Sequence, residues 1–197
     1  MRITKERSQE NRARVIDGAA QLFRERGFAG VGVVDLMRAA GLTHGGFYNH
    51  FDSKDELEAE ACRQALARSS AKLEAVARKE GPDERAEAMA AYMRSYVSKN
   101  ARDAAAPSCP MAAFAGEMPR QSARIAAAYA EGLRAYLAMF AKAQGASRPQ
   151  ALARFSMLAG ALILARSVAG ADGALSDEIL AAANVSLDAD EDLNAVD

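Results

Sequence analysis

Six side chains able to donate hydrogen bonds, Thr43, His44, Tyr48, Asn49, His50 and Lys54, fall within one short stretch of this chain, with Gly45 and Gly46 among them. Hydroxyl, imidazole, amide and ammonium donors at that density suit phosphate oxygens and base edges, the acceptors that a nucleic-acid duplex presents. His44 and Asn49 have the chemistry for base edges, and Thr43 and Tyr48 suit phosphate or a thymine methyl. Leu42, Phe47 and Phe51 supply an apolar back to hold the donors. A glycine inside a helix costs about 1 kcal/mol against alanine, so an adjacent pair implies a gain elsewhere. Close approach of the backbone to DNA is such a gain. A plainer reading makes Gly45 and Gly46 a turn between two short helices, with His50 a cap or packing residue.

The elements that must position these groups are helical. Ile16, Ala19, Ala20 and Phe23 repeat at amphipathic helical spacing and predict a helix over Ser8 to Arg26, stopped by Gly27 with Phe28 anchored behind it. Val33 to Ala40 makes a second helix, with Val33, Leu36 and Met37 inward and Gly41 as its left-handed terminator. Thr43 is placed to cap a third, ending near His50. Ser53 and Glu56 form a capping box that opens a long fourth helix from Lys54 to about Lys79.

Gly81 and Pro82 then break the chain, and Asp83 is placed to cap a fifth helix carrying Met89, Tyr92, Met93 and Tyr96 at helical spacing. Asn100 to Pro107 reads as a loop. Pro110 opens a short helix to Met118, and Arg120 to Ala143, Arg148 to Val168 and Ser176 to Leu187 complete the set. No segment alternates with period two for long enough to make a strand. The expectation is all-α, about nine helices, with no sheet. Three short helices before a longer helical body, the second joined to the third through Ala40, Gly41, Leu42 and Thr43, is a helix-turn-helix layout in which the third helix enters the major groove. This divides the chain into a DNA-binding domain (1–54), a helical ligand-binding and dimerisation domain (55–187) and an acidic tail (188–197).

Charge agrees with that division. Residues 1–54 carry nine Lys or Arg against six Asp or Glu, whereas residues 55–197 carry sixteen against twenty. A small positive module is compatible with phosphate, while the tail, with five acids and no base, reads as a frayed, solubilising end. Two cysteines without paired spacing, Cys62 and Cys109, and two histidines argue against a disulfide framework or a metal site. The charged start lacks a signal-like apolar region, and the longest apolar run, Met157 to Ala165, falls short of the roughly 20 residues a bilayer needs. The reading is a soluble, cytoplasmic protein with no cofactor, no metal and no membrane partner.

Gly27 and Phe28, Val33, Asp35 and Leu36, Ala40 to Thr43, Gly45, Phe47 and Tyr48, His50 and Phe51, and Ser53 to Leu57 together resemble the amino-terminal signature of the TetR/AcrR transcriptional regulators. The match runs from about Arg14 to Ala61 without a gap. The resemblance implies a homodimeric repressor on a palindromic double-stranded operator, released by a small-molecule inducer. It implies phosphate contacts from Thr43, Tyr48, His50 and Lys54, and base contacts from His44 and its neighbours. One departure stands out: members often carry Thr or Ser before the second helix, where this chain has Val31 and Gly32.

By the same analogy the last two long helices form a dimer interface, through Phe155, Leu158, Leu162, Ala165, Ile179 and Ala183. An apolar sequence on nearly all sides of Arg148 to Val168 needs more than one buried face; a core helix in a monomer meets that need as well. Candidate ligand-binding residues are Met89, Tyr92, Met93, Tyr96, Cys109, Phe114, Tyr129 and Tyr136, although such a stripe is also what plain core looks like. Cys109, before Pro110 at a helix start, is placed for a lowered thiol pKa and a redox or electrophile sensor, as in electrophile-sensing members of the family, or else is a small buried cap residue. Catalysis is not expected. Both histidines lie in the amino-terminal motif, and the body holds no base for a thiol nucleophile.

Overall fold

A computed structural model describes residues 5–104 and 109–194. Within them the chain is helical throughout, without a strand: α1 (Lys5–Arg26), α2 (Val33–Ala39), α3 (Lys54–Ala77), α4 (Pro82–Tyr96), α5 (Lys99–Asp103), α6 (Pro110–Phe114), α7 (Ala123–Gln144), α8 (Arg148–Val168) and α9 (Gly173–Asn194). Two 3₁₀ segments, His44–Asn49 and Met118–Arg120, complete the order.

The amino-terminal unit closes around Val15, Ala19, Phe23, Leu36, Met37, Phe47 and Phe51, all buried. Its turns sit where glycine permits them: Gly27 and Gly41 have φ of 73° and 67°, the left-handed region that a side chain disfavours. Ser53 accepts from the Glu56 amide at 3.1 Å, and Glu56 accepts from the Asp52 amide at 2.7 Å, so the start of α3 is satisfied from both sides. From there α3 leaves the unit and packs along α7 through the body. Gly132 makes that approach close, because a Cβ there would lie 2.7 Å from the side chain of Leu66.

Several boundaries differ from the sequence expectation. The third element is 3₁₀, and Thr43 precedes it in extended conformation without capping it through its side chain. Gly81, with Pro82 in the first turn, caps α4, so Asp83 lies inside the helix. Part of the expected Asn100–Pro107 loop is α5, capped by Ser98; Ser108 and the rest of that loop lie outside the described residues. The expected Pro110–Met118 helix is shorter and breaks before the Met118–Arg120 turn, and Ser122 caps α7. The last helix starts at Gly173 and runs to Asn194, taking in much of the segment read as a frayed tail.

Among the described residues one helix, α8, is long and apolar enough to cross a membrane by length and composition, with mean hydropathy 1.5. Here it packs against α7 and α9. Phe155, Leu158, Leu162 and Ala165 of α8 and Ala183 of α9, read as dimer contacts, are instead buried in this chain's own core, and Ile179 is partly buried against it. Phe155 sits within an aromatic cluster, 4.9 Å from the ring of Tyr136 and 5.7 Å from that of Phe140. The face left over carries Leu152, Ile163, Leu164, Leu175 and Val185, all exposed. Helical periodicity counts apolar faces without saying which one meets the chain's own core.

Candidate nucleic-acid interface and effector cavity

The donor-rich stretch separates into two sides because Phe47 and Phe51 are four residues apart and face inward together, fully buried with ring centroids 5.5 Å apart. Thr43, His44, Gly45 and Asn49 are then exposed, and Tyr48 is 72% exposed with its ring edge-on to Phe47. No glycine in this stretch is required by backbone strain: Gly45 and Gly46 do not have positive φ. A Cβ at Gly45 would meet nothing within 4 Å, and one at Gly46 would make only an ordinary contact with Met37, at 3.6 Å. The space they leave open lies outside the chain's own packing.

His50 and Lys54 are held differently from the rest. His50 is half-buried, with a buried Nδ1 that has no hydrogen-bond partner among the described residues. Its carbonyl accepts from the Arg12 guanidinium at 3.1 Å. Arg12 also donates to Glu60 at 2.5 and 2.6 Å and to Glu56 at 3.2 Å, and lies 4.7 Å over the Phe51 ring. Glu60 first, with Glu56, holds that guanidinium firmly charged against the opposing effect of burial. Arg12 thus ties α1, the end of the 3₁₀ segment and α3 together. The Lys54 ammonium donates to the Phe28 carbonyl at 2.9 Å and pairs with the buried Glu58 at 3.0 Å, leaving one of its three N–H groups for an outside acceptor. Burial pushes the Glu58 carboxyl up, and Lys54 offsets part of that.

The departure before α2 has a local compensation. Gly32 stands at the cap position, and the Asp35 carboxylate reaches back to accept from its amide at 3.4 Å. No hydroxyl stands there to touch phosphate.

The body contains a cavity of about 500 Å³ between α1, α3, α4, α5 and α8, within the size range of small-molecule sites. Three of the expected ligand residues, Tyr92, Tyr96 and Cys109, line it. Met89, Met93, Phe114 and Tyr136 are instead buried in the core and Tyr129 is partly buried against it; none of the five lines the cavity. Their polar atoms are used inside: the Tyr136 and Tyr92 hydroxyls share a 2.7 Å hydrogen bond, and Tyr129 donates to the Met111 carbonyl at 3.0 Å. Phe114 packs on Phe28 at 4.9 Å. Sequence reasoning missed Arg24, Arg68 and Lys72, which also line the cavity, because they come from the polar faces of α1 and α3.

Cys109 does precede α6, but its thiol is pushed up by burial, and hydrogen bonds from Tyr96 and the Ala112 and Met111 amides only offset part of that. This reverses the expected lowering: α6 has five residues, so little dipole acts there, and desolvation dominates. Cys62, in the core, is pushed up to about 12 for the same reason.

Residues 15–61 match the model of the bacterial regulatory proteins of the tetR family. This amino-terminal segment carries the signature of the tetR-family regulatory proteins. It is 44% identical over 57 residues to the HTH-type transcriptional regulator TtgR of Pseudomonas putida and 44% identical over 55 residues to the repressor KstR2 of Rhodococcus jostii. These stretches cover 29% and 28% of this chain and 27% of each relative, so the matches span about a quarter of the length of the relatives. A likeness of fold extends over the whole body: the reduced form of Escherichia coli NemR aligns with a TM-score of 0.72 at 20% identity, over 88% of this chain and 95% of that one. A TetR-family regulator from Cytophaga hutchinsonii aligns with a TM-score of 0.73 at 17% identity, over 96% and 98%.

Proposed function

We propose that this chain is a TetR-family regulator, a homodimeric, ligand-responsive transcriptional repressor that binds a palindromic DNA operator through Thr43 to Lys54 and releases it when an inducer occupies the body. The observation that carries the reading is the outward row of Thr43, His44, Tyr48 and Asn49 around an unobstructed Gly45, rigidly backed by Phe47 and Phe51. In this reading Thr43, Tyr48, His50 and Lys54 contact phosphate, while His44, with Asn49, reads base edges.

A second copy would pack on the exposed face of α8 and α9, where Leu164 and Val185 are 57% and 68% exposed. Paired recognition segments would then lie about one DNA turn apart, or a multiple of it. The inducer acts by favouring the DNA-incompetent arrangement, which requires differential affinity for the two states. A link for it exists between body and DNA-binding unit: the Phe28 amide donates to Glu117, which follows α6, at 3.0 Å.

The test uses duplexes that the parent protein selects from a random pool. Tyr48→Phe is expected to weaken binding to all of them alike, by roughly threefold to tenfold for one lost hydrogen bond. His44→Ala is expected to relax preference at particular positions by about 1–3 kcal/mol. Equal effects of both variants on every sequence remove the base-reading role of His44. Lys54→Ala is a poorer probe, because it also strands the buried Glu58 carboxylate.

A further inference from the structure

The cavity differs from a plain apolar site in the sign of its charged groups. Arg24 of α1 and Arg68 and Lys72 of α3 line it, and among the described residues no Asp or Glu does. Arg68 is paired with Asp17 at 2.6 Å. Arg24 has no carboxylate partner among the described residues; its one hydrogen bond runs to the Ala20 carbonyl of its own helix, at 2.9 Å. Lys72, exposed on α3, likewise has no partner among them. A half-buried guanidinium without a counter-ion is costly. Burial, and then the neighbouring charge of Arg68, weaken its hold on its proton.

A second observation points the same way from the opposite wall. Tyr96 is only 6% exposed and lines the cavity, and the one hydrogen-bonding group beside its hydroxyl among the described residues is the Cys109 thiol. A thiol is a weak hydrogen-bond partner, so this wall too holds a polar group that the chain itself satisfies poorly. The rest of the wall is mixed: Ala20, Ala65, the ring of Tyr92 and Leu162 give it an apolar part, and Ser69, Ser95, Ser98 and Asn100 an uncharged polar part.

We infer that this cavity takes an amphipathic organic anion, its apolar body against Ala20, Ala65, Tyr92 and Leu162 and its anionic group drawn to Arg24, with Arg68 and Lys72 at the rim. The inference rests on the reading of the chain as ligand-responsive and names the chemical class of the ligand. Because Ala20 and Arg24 belong to α1, an anion held there touches the amino-terminal unit directly as well as α3.

The probes are anilinonaphthalene sulfonate and phenylnaphthylamine, which share their rings and differ in the anionic group, titrated by fluorescence into the folded full-length protein. The sulfonate is expected to bind one site per chain at least about tenfold more tightly than the neutral compound, as a charge-assisted contact allows. Arg24→Gln and Lys72→Gln are each expected to weaken the sulfonate and leave the neutral probe unchanged. Lys72 is exposed, so its variant remains informative if Arg24→Gln does not fold. Equal affinities for the two probes, or sulfonate binding that neither variant alters, overturn the anion preference while a neutral-ligand cavity stands. Failure of both probes to bind overturns the cavity as an effector site altogether.

Discussion

Replacing Gly45 by glutamate reduces DNA binding by at least about a hundredfold, or roughly 3 kcal/mol, and leaves the free protein's melting temperature within about two degrees of the parent. The second half of that result follows from the structure of the chain alone. Gly45 is exposed, lacks the positive φ that favours glycine, and has nothing within 4 Å of where a Cβ would stand. A side chain there enters solvent, and glycine's backbone entropy penalty is removed. The first half follows from the proposed interface. The new carboxylate would occupy the gap through which the backbone approaches the duplex and would oppose phosphate charge. Gly45→Ala is the milder companion, expected to fold equally well and bind less. Retained binding by the glutamate variant means that this surface does not face DNA.

Phe155→Ala destabilises each chain by roughly 3–5 kcal/mol, the range for deleting a buried aromatic ring, whereas Leu164→Arg is expected to convert the proposed dimer to monomers. The two residues lie on the same helix and were indistinguishable by hydrophobicity. Phe155 is enclosed by Tyr96, Tyr136 and Phe140, with centroids 5.8, 4.9 and 5.7 Å away. Its loss leaves a cavity between α4, α7 and α8 that these packed helices cannot collapse to fill. Leu164 is exposed on the other face, beside Ile163 and opposite the side that α7 covers. An arginine there costs the fold little and forces a charge into any interface formed on that face. Thermal unfolding and sedimentation of both variants check the pair. Dissociation by Phe155→Ala without loss of per-chain stability restores the original assignment of that residue to the dimer interface.

What the sequence made legible is what local chemistry dictates. Gly27 and Gly41 were readable as left-handed terminators because few other residues adopt that conformation, and both do so. Ser53 and Glu56 were readable as a capping box because their spacing has one local use. The limits of α8 matched because Ser147 and Pro149 mark its start. The separation of Tyr48 and Asn49 from Phe47 and Phe51 also followed from polarity and spacing.

The failures share a different cause. Arg12 had no visible role, since its partners Glu56, Glu60 and the His50 carbonyl lie about forty residues away in sequence and meet it only when α1 packs on α3. The cationic lining of the cavity was hidden for the same reason: Arg24 and Arg68 look like solvated faces of two separate helices. Cys109 was misjudged because a local cue, the helix start, was weighed without the burial that tertiary packing imposes. Glu117, reaching the Phe28 amide, had no local signature at all.

The most direct measurement of the central claim is the affinity of the full chain for its own selected duplexes as salt is raised. Phosphate contacts from an outward-facing segment on a net positive unit require enrichment of a palindromic sequence and a loss of at least about tenfold in affinity between roughly 50 and 200 mM salt. No enriched sequence, or an affinity that salt does not change, contradicts the account.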